Sequence, residues 1–256
     1  MSDPDISRAP IAVIVIGDEI LSGRRKDCHL SAVIERLAPL GRCVDWSLFI
    51  GDDVARITQT LEQAIAEQAI VFCFGGIGAT PDDLTRACAA KALDRPLQRH
   101  PQAEARIKAR FGDQAYPKRV LMADFPEGAG LLPNVINNVP GFYCGHLYFM
   151  PGFPAMAHPM LDWILEQRLS GIANQDYCER ALWVADTPES ELIDLMQSVQ
   201  AHWPSIRLFS LPVITDSWRL VELGVKGPKS EVDAALGFIE QSLAEQSVML
   251  YTRDPR

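Results

Sequence analysis

The feature of this sequence that most constrains its fold is an apolar run that leads directly into a glycine-rich segment. Residues 69–74 are all apolar, as expected of a strand buried on both faces, and three glycines follow within four positions. Glycine reaches backbone conformations and close approaches that a side chain forbids. Thr80 then has the chemistry of a helix N-cap, and Pro81 that of a first helical residue. The pattern predicts a strand, a tight turn and a helix N-terminus in succession.

Such a junction favours phosphate binding, because unpaired backbone N–H groups and the positive end of the helix dipole face the ligand. Asp82 and Asp83 fall in the predicted first turn, where two carboxylates would repel a phosphate unless a cation lay between them. Mg²⁺ is the usual cation, because it takes oxygen ligands from one or two carboxylates together with phosphates. The segment therefore predicts a metal-assisted phosphate or pyrophosphate site. Glycine-rich turns and first-turn acids also occur in proteins that bind no ligand, so that alternative stands beside it.

The two preceding strands are predicted to end in loops of a similar kind. Residues 10–16 and 44–50 have strand-like patterns, and they lead into Gly17-Asp18-Glu19 and Gly51-Asp52-Asp53. The carboxyl ends of parallel strands share one edge of a sheet, and ligands bind there. We therefore expect the acids of all three loops to meet at one site. Either aspartate of the second loop could instead cap the helix that follows it.

A further junction between a strand, a glycine and a helix comes later in the chain. Residues 146–150 are strand-like and end at Pro151-Gly152-Phe153-Pro154, and a helical pattern follows over 156–165. We expect this junction to add backbone N–H groups to the same site. His158 lies inside the predicted helix and is interpreted as a packing or surface residue rather than a catalytic base.

The last third of the chain predicts a second, smaller domain. After Gly171 the strand and helix patterns follow the order βαββαβ, which is typical of a ferredoxin-like domain. This part of the sequence carries no glycine-rich loop or acid cluster, so we expect it to serve packing, oligomerisation or substrate shaping. The predicted fold class is α/β with a mainly parallel sheet, and the predicted domains are residues 1–170 and 177–256.

The amino-acid composition argues against several classes of function. A net charge of -9 over 256 residues is unlike the basic surface that binds nucleic acid or an anionic membrane. The sequence has no apolar run of the roughly 18 residues that a membrane-spanning helix needs, and its acidic N-terminus lacks the pattern of a signal peptide. We therefore expect a cytoplasmic protein whose partners are small molecules, with no nucleic acid and no membrane among them.

The six cysteines predict neither disulfides nor a zinc site. They are scattered along the chain without a C-x-x-C pair, and several lie in apolar runs, where a reduced cysteine packs as a small hydrophobic residue. We interpret all six as reduced core residues: Cys28, Cys43, Cys73, Cys88, Cys144 and Cys178.

Three of these segments together resemble the signature segments of the molybdopterin-binding superfamily, which includes MoaB and Mog. They are residues 17–23, 75–85 and 151–154. The similarity is greatest to the CinA amino-terminal branch, whose domain is also similar to the amino-terminal part of some FAD synthases. The resemblance extends through about residue 169, and the βαββαβ segment is similar to the small domain that follows in the CinA branch.

The resemblance implies a three-layer α/β sandwich with a mainly parallel sheet, and a homo-oligomer. It also implies two classes of activity. Mog-type members bind molybdopterin and adenylylate it with Mg-ATP, whereas CinA-type members are similar to metal-dependent pyrophosphatases that act on ADP-ribose or FAD. Both activities handle a phosphoanhydride beside a divalent cation. The expected cofactor is therefore Mg²⁺ or another divalent cation, and a pterin phosphate is the alternative ligand to a nucleotide.

The leading hypothesis is a metal-dependent nucleotide pyrophosphatase. Its expected metal ligands are Glu19, Asp82 and Asp83, and its expected catalytic residues are Asp18, Asp82 and Asp83. The expected substrate-binding and phosphate-binding residues lie in the loops described above and at the start of the first long helix: Gly17, His29, Asp52, Gly75, Gly76, Gly78, Thr80 and Gly152. On this hypothesis, Asp83→Ala abolishes hydrolysis and leaves the fold intact.

Two positions depart from the family pattern. His29 stands where the branch usually has asparagine, and Ala79 stands where proline is more usual. His29 could act as a hydrogen-bond donor or as an acid or base near neutral pH, or it could simply start a helix. Arg24 or Lys26 is expected to offset charge as the anhydride breaks. Two other functions stay open: molybdopterin binding or adenylylation, and a non-enzymatic module that holds a nucleotide or pterin without turnover.

Overall fold

The computed structural model describes residues 6–214 and 219–254, and the chain divides into two compact units, Met1–Ala173 and Asn174–Arg256. Within the first unit the strands are β1 (Ile11–Ile16), β2 (Trp46–Ile50), β3 (Ile70–Phe74), β4 (Leu97–Arg99), β5 (Asp124–Pro126), β6 (Gly130–Leu132), β7 (Gly141–Cys144) and β8 (Leu147–Met150). Its helices are α1 (Asp18–Leu21), α2 (His29–Leu37), α3 (Val54–Ala66), α4 (Thr85–Ala92), α5 (Pro101–Phe111) and α6 (Pro154–Gln167).

The first unit is built on a six-stranded sheet of order β2-β1-β3-β8-β7-β6. Strands β2, β1, β3 and β8 pair in parallel, and β7 and β6 continue the sheet as antiparallel strands. Strands β4 and β5 form a separate antiparallel pair. The mainly parallel sheet predicted from the sequence is therefore confirmed.

Helices cover both faces of this sheet, because alternate residues of the central strands point to opposite sides. Ile14 of β1 packs in one buried cluster with Ile57 of α3, and α4 and α5 contribute to the same cluster. Val13 packs in the other with Val33 of α2 and Ile164 of α6. Each such side chain contributes about 1.5–3 kcal/mol when fully buried. The unbroken apolar sequence of β1 thus produces a three-layer sandwich.

The helix after the glycine-rich segment begins later than the sequence predicts. Thr80 and Pro81 were expected to start it, but residues 80–84 are non-helical and α4 begins at Thr85. The hydroxyl of Thr85 donates to the carbonyl oxygen of Gly75 at 2.9 Å, and its N–H donates to that of Gly76 at 3.0 Å. These bonds fold residues 77–84 into a loop, so Asp82 and Asp83 precede the helix.

The second unit has the predicted βαββαβ order. Its elements are β9 (Tyr177–Ala185), α7 (Ile193–His202), β10 (Arg207–Ile214), β11 (Arg219–Pro228), α8 (Lys229–Glu245) and β12 (Leu250–Tyr251). The sheet order is β10-β11-β9-β12 and each pair is antiparallel. Val199 of α7 and Ile239 of α8 pack with Leu223 in a separate buried core.

Across these two units, no helix in the described part of the chain is both long enough and apolar enough to span a lipid bilayer.

All six cysteines are free thiols, as predicted. Cys73, Cys88 and Cys144 are buried. The expectation of a core position is wrong for Cys43, which is exposed.

Candidate functional site

A cleft of ≈ 450 Å³ opens at the carboxyl ends of β1, β3 and β8. Residues from four loops line it: Gly17, Glu19 and Asp52 from the first two, residues 75–80, Asp82 and Asp83 from the third, and residues 151–153 from the fourth. The loops that the sequence marked as strand–glycine junctions therefore meet at one place. Asp18 and His29, which were also predicted to belong to the site, do not line this cleft.

The glycine-rich loop is organised around the carboxylate of Asp83. Its Oδ1 accepts a hydrogen bond from the N–H of Gly78 at 2.7 Å. Its Oδ2 accepts from the N–H of Thr80 at 2.8 Å and from the Thr80 hydroxyl at 2.5 Å. Hydrogen bonds to a charged group contribute about 1.5–3 kcal/mol each. Asp83 thus holds the loop closed, a role that the sequence did not predict.

Two glycines of the loop are required by close approach. A Cβ atom on Gly78 would lie 2.4 Å from Oδ2 of Asp83, and one on Gly76 would lie 2.3 Å from the Thr85 hydroxyl oxygen. Gly76 also has a φ of +66°, which side-chain-bearing residues rarely adopt. The glycine spacing therefore shapes the loop as well as allowing close approach to a ligand.

Arg86 fixes the loop from behind. Its Nη2 donates to the carbonyl oxygen of Gly78 at 2.6 Å, and Nη1 donates to the carbonyl oxygens of Leu121 and Asp124. The side chain is 8% exposed, and burial lowers its pKa from the ordinary arginine value. A buried guanidinium that is committed to carbonyl groups supports the loop and leaves the cleft to other cations.

Several backbone N–H groups of the loop have no protein acceptor. Among the described residues, the N–H groups of Gly76, Ile77 and Ala79 are paired with no backbone or side-chain oxygen, and all three residues line the cleft and are partly exposed. Unpaired N–H groups at a concave surface bind anionic oxygens. This arrangement supplies the donors that a phosphate group needs.

The first two loops are joined by a reciprocal pair of hydrogen bonds. The N–H of Asp18 donates to Oδ2 of Asp52 at 3.1 Å, and the N–H of Asp52 donates to Oδ1 of Asp18 at 3.2 Å. A Cβ atom on Gly51 would lie 2.3 Å from Oδ1 of Asp18. Asp18 therefore holds the two loops together and positions Asp52 at the cleft.

Electrostatic repulsion concentrates at Asp52. Burial raises the pKa of its carboxyl group above the ordinary aspartate value, and the hydrogen bond from the Asp18 N–H opposes that change. The negative charges of Asp18, Glu19 and Asp82 raise the pKa further. The three acidic loops are thus close enough for their carboxylates to repel one another, as expected from the parallel sheet.

The two aspartates of the second loop have different roles. Asp53 is the N-cap of α3, and its Oδ1 accepts from the N–H of Arg56 at 2.7 Å. The capping alternative therefore holds for Asp53, whereas Asp52 faces the cleft. Asp82 is exposed at the cleft, and a hydrogen bond from the Thr80 side chain lowers its pKa. The Thr80 hydroxyl has one proton, so it serves either Asp82 or Asp83 at a given moment.

The cleft acids fit a hard divalent cation that is shared with a ligand. Carboxylate oxygens are the donors that Mg²⁺ prefers, and Mg²⁺ is commonly held by one or two carboxylates together with waters and substrate phosphates. In the described residues, no three of these acids bring their oxygens within 4.8 Å of one another. Glu19, Asp52 and Asp82 therefore form an open set rather than a closed cage.

Comparison with known proteins places this fold and cleft in a family. The profile of a family described as a probable molybdopterin binding domain matches residues 12–171, which include every loop of the cleft. The chain belongs to this family. Sequence analysis had identified the same superfamily and its CinA branch, and both are confirmed.

Individual relatives of this molybdopterin-binding-family chain agree with that assignment. A CinA-like protein of Desulforapulum autotrophicum is 30% identical over 211 residues, which cover 77% of this chain and 50% of the relative. A CinA-like protein of Geobacter sulfurreducens is 35% identical over 159 residues, which cover 59% of this chain and 38% of the relative. The chain thus spans half or less of the length of these two relatives.

A solved structure confirms the fold of the family domain. The crystal structure of a CinA protein of unknown function from Thermoplasma acidophilum has a TM-score of 0.58 and 27% sequence identity. The match covers 62% of this chain and 98% of that chain.

Sequence analysis missed the residues on the rest of the cleft wall. Arg25, rather than the expected Arg24 or Lys26, lines the cleft, and its guanidinium lies 5.7 Å from the ring centre of Phe153. Three neighbouring basic residues gave no signal for choosing among them. Asn134 is buried and donates to Oδ1 of Asn137 at 2.7 Å, which shapes the opposite rim. A strand-like pattern over 131–139 hid this turn.

His29 lies behind the cleft floor. It is 3% exposed, begins α2 and stacks on Phe74 with ring centres 4.3 Å apart. Its Nε2 lies 3.4 Å from the carbonyl oxygen of Gly152. The structure therefore gives His29 a supporting position beneath the turn at Gly152 instead of a place among the cleft-lining residues. Helix initiation, the second alternative considered from the sequence, agrees with this position.

Proposed function

We propose that the first unit hydrolyses the pyrophosphate bond of a nucleotide such as ADP-ribose or FAD with the help of a divalent cation. The observation that carries this proposal is the composition of the cleft. Glu19, Asp52 and Asp82 line it with carboxylates, while Gly76 and Ala79 line it with unpaired N–H groups. A phosphoanhydride bound to those donors brings more negative charge to acids that already repel one another, so binding requires a cation.

The residues of the cleft would divide the work as follows. The N–H groups of the glycine-rich loop bind the phosphate oxygens, while Glu19, Asp52 and Asp82 hold the cation. When bound, Mg²⁺ polarises a phosphoryl oxygen and stabilises the charge that develops in the reaction. Asp83 keeps the loop in its binding conformation, and Arg25 supplies a positive charge beside the leaving phosphate.

The reaction itself is a simple hydrolysis. Water adds to one phosphorus of the anhydride, and the bond between that phosphorus and the bridging oxygen breaks. ADP-ribose then gives AMP and ribose 5-phosphate, and FAD gives AMP and FMN. The apolar side chains at the cleft, which include Phe111, Met122 and Met156, would contact the base or flavin ring.

The test is chromatographic detection of these products from ADP-ribose and from FAD with Mg²⁺, Mn²⁺ or Co²⁺. We expect turnover with at least one cation and none in excess chelator. If calorimetry detects nucleotide binding but no cation gives product, the pyrophosphatase assignment is wrong and a non-enzymatic binding module takes its place.

A second candidate is molybdopterin binding or adenylylation, which the description of the matched family favours. The same N–H groups would bind the pterin phosphate, and the same acids would hold the cation of Mg-ATP. Incubation with molybdopterin and Mg-ATP distinguishes the two candidates. Accumulation of an adenylylated pterin, without hydrolysis of ADP-ribose or FAD, would replace the first candidate with the second.

A further inference from the structure

Behind the cleft floor, a cysteine and two histidines converge from different elements. One ligand atom from each of Cys28, His29 and His158 lies within 4.8 Å of the other two. Cys28 and His29 lie at the start of α2, and His158 lies in the second turn of α6. The sequence separates these positions by 130 residues, so no local pattern announced the cluster.

The surrounding structure holds both rings in place. Oδ1 and Oδ2 of Asp27 accept from the N–H groups of His29 and Leu30, at 2.9 and 3.1 Å, which fixes the first turn of α2. The ring of His158 meets that of His29 edge-on, with centres 5.4 Å apart and planes at 90°. Stacking on Phe74 restrains the other side of His29. The site is thus largely pre-organised.

Both histidines have a buried ring nitrogen without a partner. Among the described residues, Nδ1 of His29 and Nε2 of His158 are buried and form no hydrogen bond. A buried polar atom left unpaired costs about 1–3 kcal/mol. Nε2 of His29 already faces the carbonyl oxygen of Gly152. A second-shell partner of this kind is what orients a metal-binding histidine and leaves its other nitrogen for the metal.

The protonation state of the cluster suits a metal. Burial lowers the pKa of His29 and also that of His158, although the charge of Asp27 opposes both shifts. Arg36 lowers the pKa of His158 further, and Asp162 and Glu35 oppose it. Both rings are therefore neutral near pH 7, and a neutral imidazole is the form that coordinates metal.

We propose that Cys28, His29 and His158 form a binding site for Zn²⁺ or a chemically similar transition metal. One sulfur and two imidazole nitrogens match the ligands that Zn²⁺ prefers, and they differ from the oxygen ligands preferred by Mg²⁺. On binding, the Cys28 thiol loses its proton to solvent and the thiolate coordinates the metal. Cys28 is partly exposed, so a water molecule can reach the fourth position.

The separations leave little to rearrange. Zinc bonds of about 2.0–2.3 Å in a tetrahedral site place ligand atoms roughly 3.3–3.8 Å apart. The three atoms lie within 4.8 Å of one another, so side-chain rotations close the remaining gap. A metal here would link the first turns of α2 and α6 beneath Gly152, and so would support the cleft floor.

Cobalt titration of chelator-treated protein tests the site without any assay of activity. We expect one equivalent of Co²⁺ to produce d–d bands and a thiolate-to-cobalt charge-transfer band. Zn²⁺ should abolish both bands by displacement. Cys28→Ser should remove the charge-transfer band, and His158→Gln should weaken Co²⁺ binding at least about 10-fold. His29→Asn should weaken it similarly while keeping a polar residue at the start of α2.

Matched controls are available within the chain. Cys43→Ser removes an exposed thiol and His202→Gln an exposed imidazole, and neither should change the titration. Far-ultraviolet circular dichroism and melting of each metal-free variant show whether it is folded. The proposal is overturned if folded Cys28→Ser retains the charge-transfer band, or if wild-type protein gives no such band. Wild-type protein should also melt at a higher temperature with Zn²⁺, and Cys28→Ser should not.

Discussion

Asp83 and Asp52 are both aspartates of a loop that follows a parallel strand, yet their surroundings differ. The two carboxylate oxygens of Asp83 accept three hydrogen bonds from its own loop. Asp52 accepts one, from the N–H of Asp18, and otherwise meets the negative charges of its neighbours. The first is satisfied by the protein, whereas the second is left with unbalanced charge.

This difference shows how one residue type builds two parts of a site. A carboxylate that accepts several internal hydrogen bonds stabilises backbone, as Asp83 does for the glycine-rich loop. Carboxylates that repel one another at a cleft, as Asp52 and Asp82 do, favour a cation. The account therefore separates loop-forming acids from cation-binding acids, and each variant below tests that separation.

The largest structural effect is expected from Gly76→Ala. The new Cβ would lie 2.3 Å from the Thr85 hydroxyl oxygen at a φ of +66°, so the loop should lose its conformation. We expect a loss of about 3 kcal/mol in the free energy of unfolding, measured by urea denaturation, and loss of nucleotide binding. Gly112→Ala is the control. Its φ is +57° with open space around it, so backbone strain alone should cost it about 1–2 kcal/mol.

Asp83→Ala should be the next most damaging change to stability. It removes three hydrogen bonds from the loop, and we expect a loss of about 2–3 kcal/mol with weakened nucleotide binding. This outcome revises the expectation from sequence that the fold is unaffected. Asp82→Ala, one residue away, should melt within a degree or two of the wild type, since exposed side chains contribute little. Equal melting of the two variants would contradict the assignment of Asp83 to the loop.

Thr85→Val tests the anchor of the same loop. Valine keeps the shape of the side chain but leaves the carbonyl oxygen of Gly75 without its 2.9 Å hydrogen bond in a fully buried position. We expect a loss of about 1–2 kcal/mol in the free energy of unfolding. An unchanged denaturation midpoint would show that the loop is held by Asp83 and Arg86 without this bond.

The smallest stability effect, and the one most dependent on pH, is expected from Asp52→Asn. Because the folded state raises the pKa of Asp52, protonation favours folding, and that contribution disappears as pH rises through this pKa. Metal-free Asp52→Asn should therefore be more stable than wild type near neutral pH, by less than about 1 kcal/mol because the group is partly exposed. Asp53→Asn is the matched control, since asparagine also caps helices well. A lower melting point for Asp52→Asn would show that repulsion is not what Asp52 experiences.

Much of the fold follows from the sequence, for reasons that particular residues make clear. The apolar run of β1 is compatible only with burial on both faces, and it specifies a central parallel strand. The start of α4 was misplaced because Thr80 and Pro81 satisfy local rules for starting a helix. The tertiary bonds of Thr85 and Asp83 prevail over that local preference.

The candidate site divides in the same way between local and long-range information. Topology predicted that the acids after β1, β2 and β3 would converge, and the pKa of Asp52 reflects that proximity. Hydrogen-bond partners could not be predicted, so the different roles of Asp82 and Asp83 were missed. The approach of His158 to His29 was also invisible, because it depends on how α2 and α6 pack on one face of the sheet.

The central claim is that Asp82 helps to hold a cation and that Asp83 holds the loop. The most direct test is the binding of Mn²⁺, as a substitute for Mg²⁺, followed by the loss of its free electron paramagnetic resonance signal with ADP-ribose present. The account predicts that Asp82→Asn weakens Mn²⁺ binding at least about 10-fold without lowering the melting temperature. Wild-type Mn²⁺ affinity in folded Asp82→Asn would contradict it.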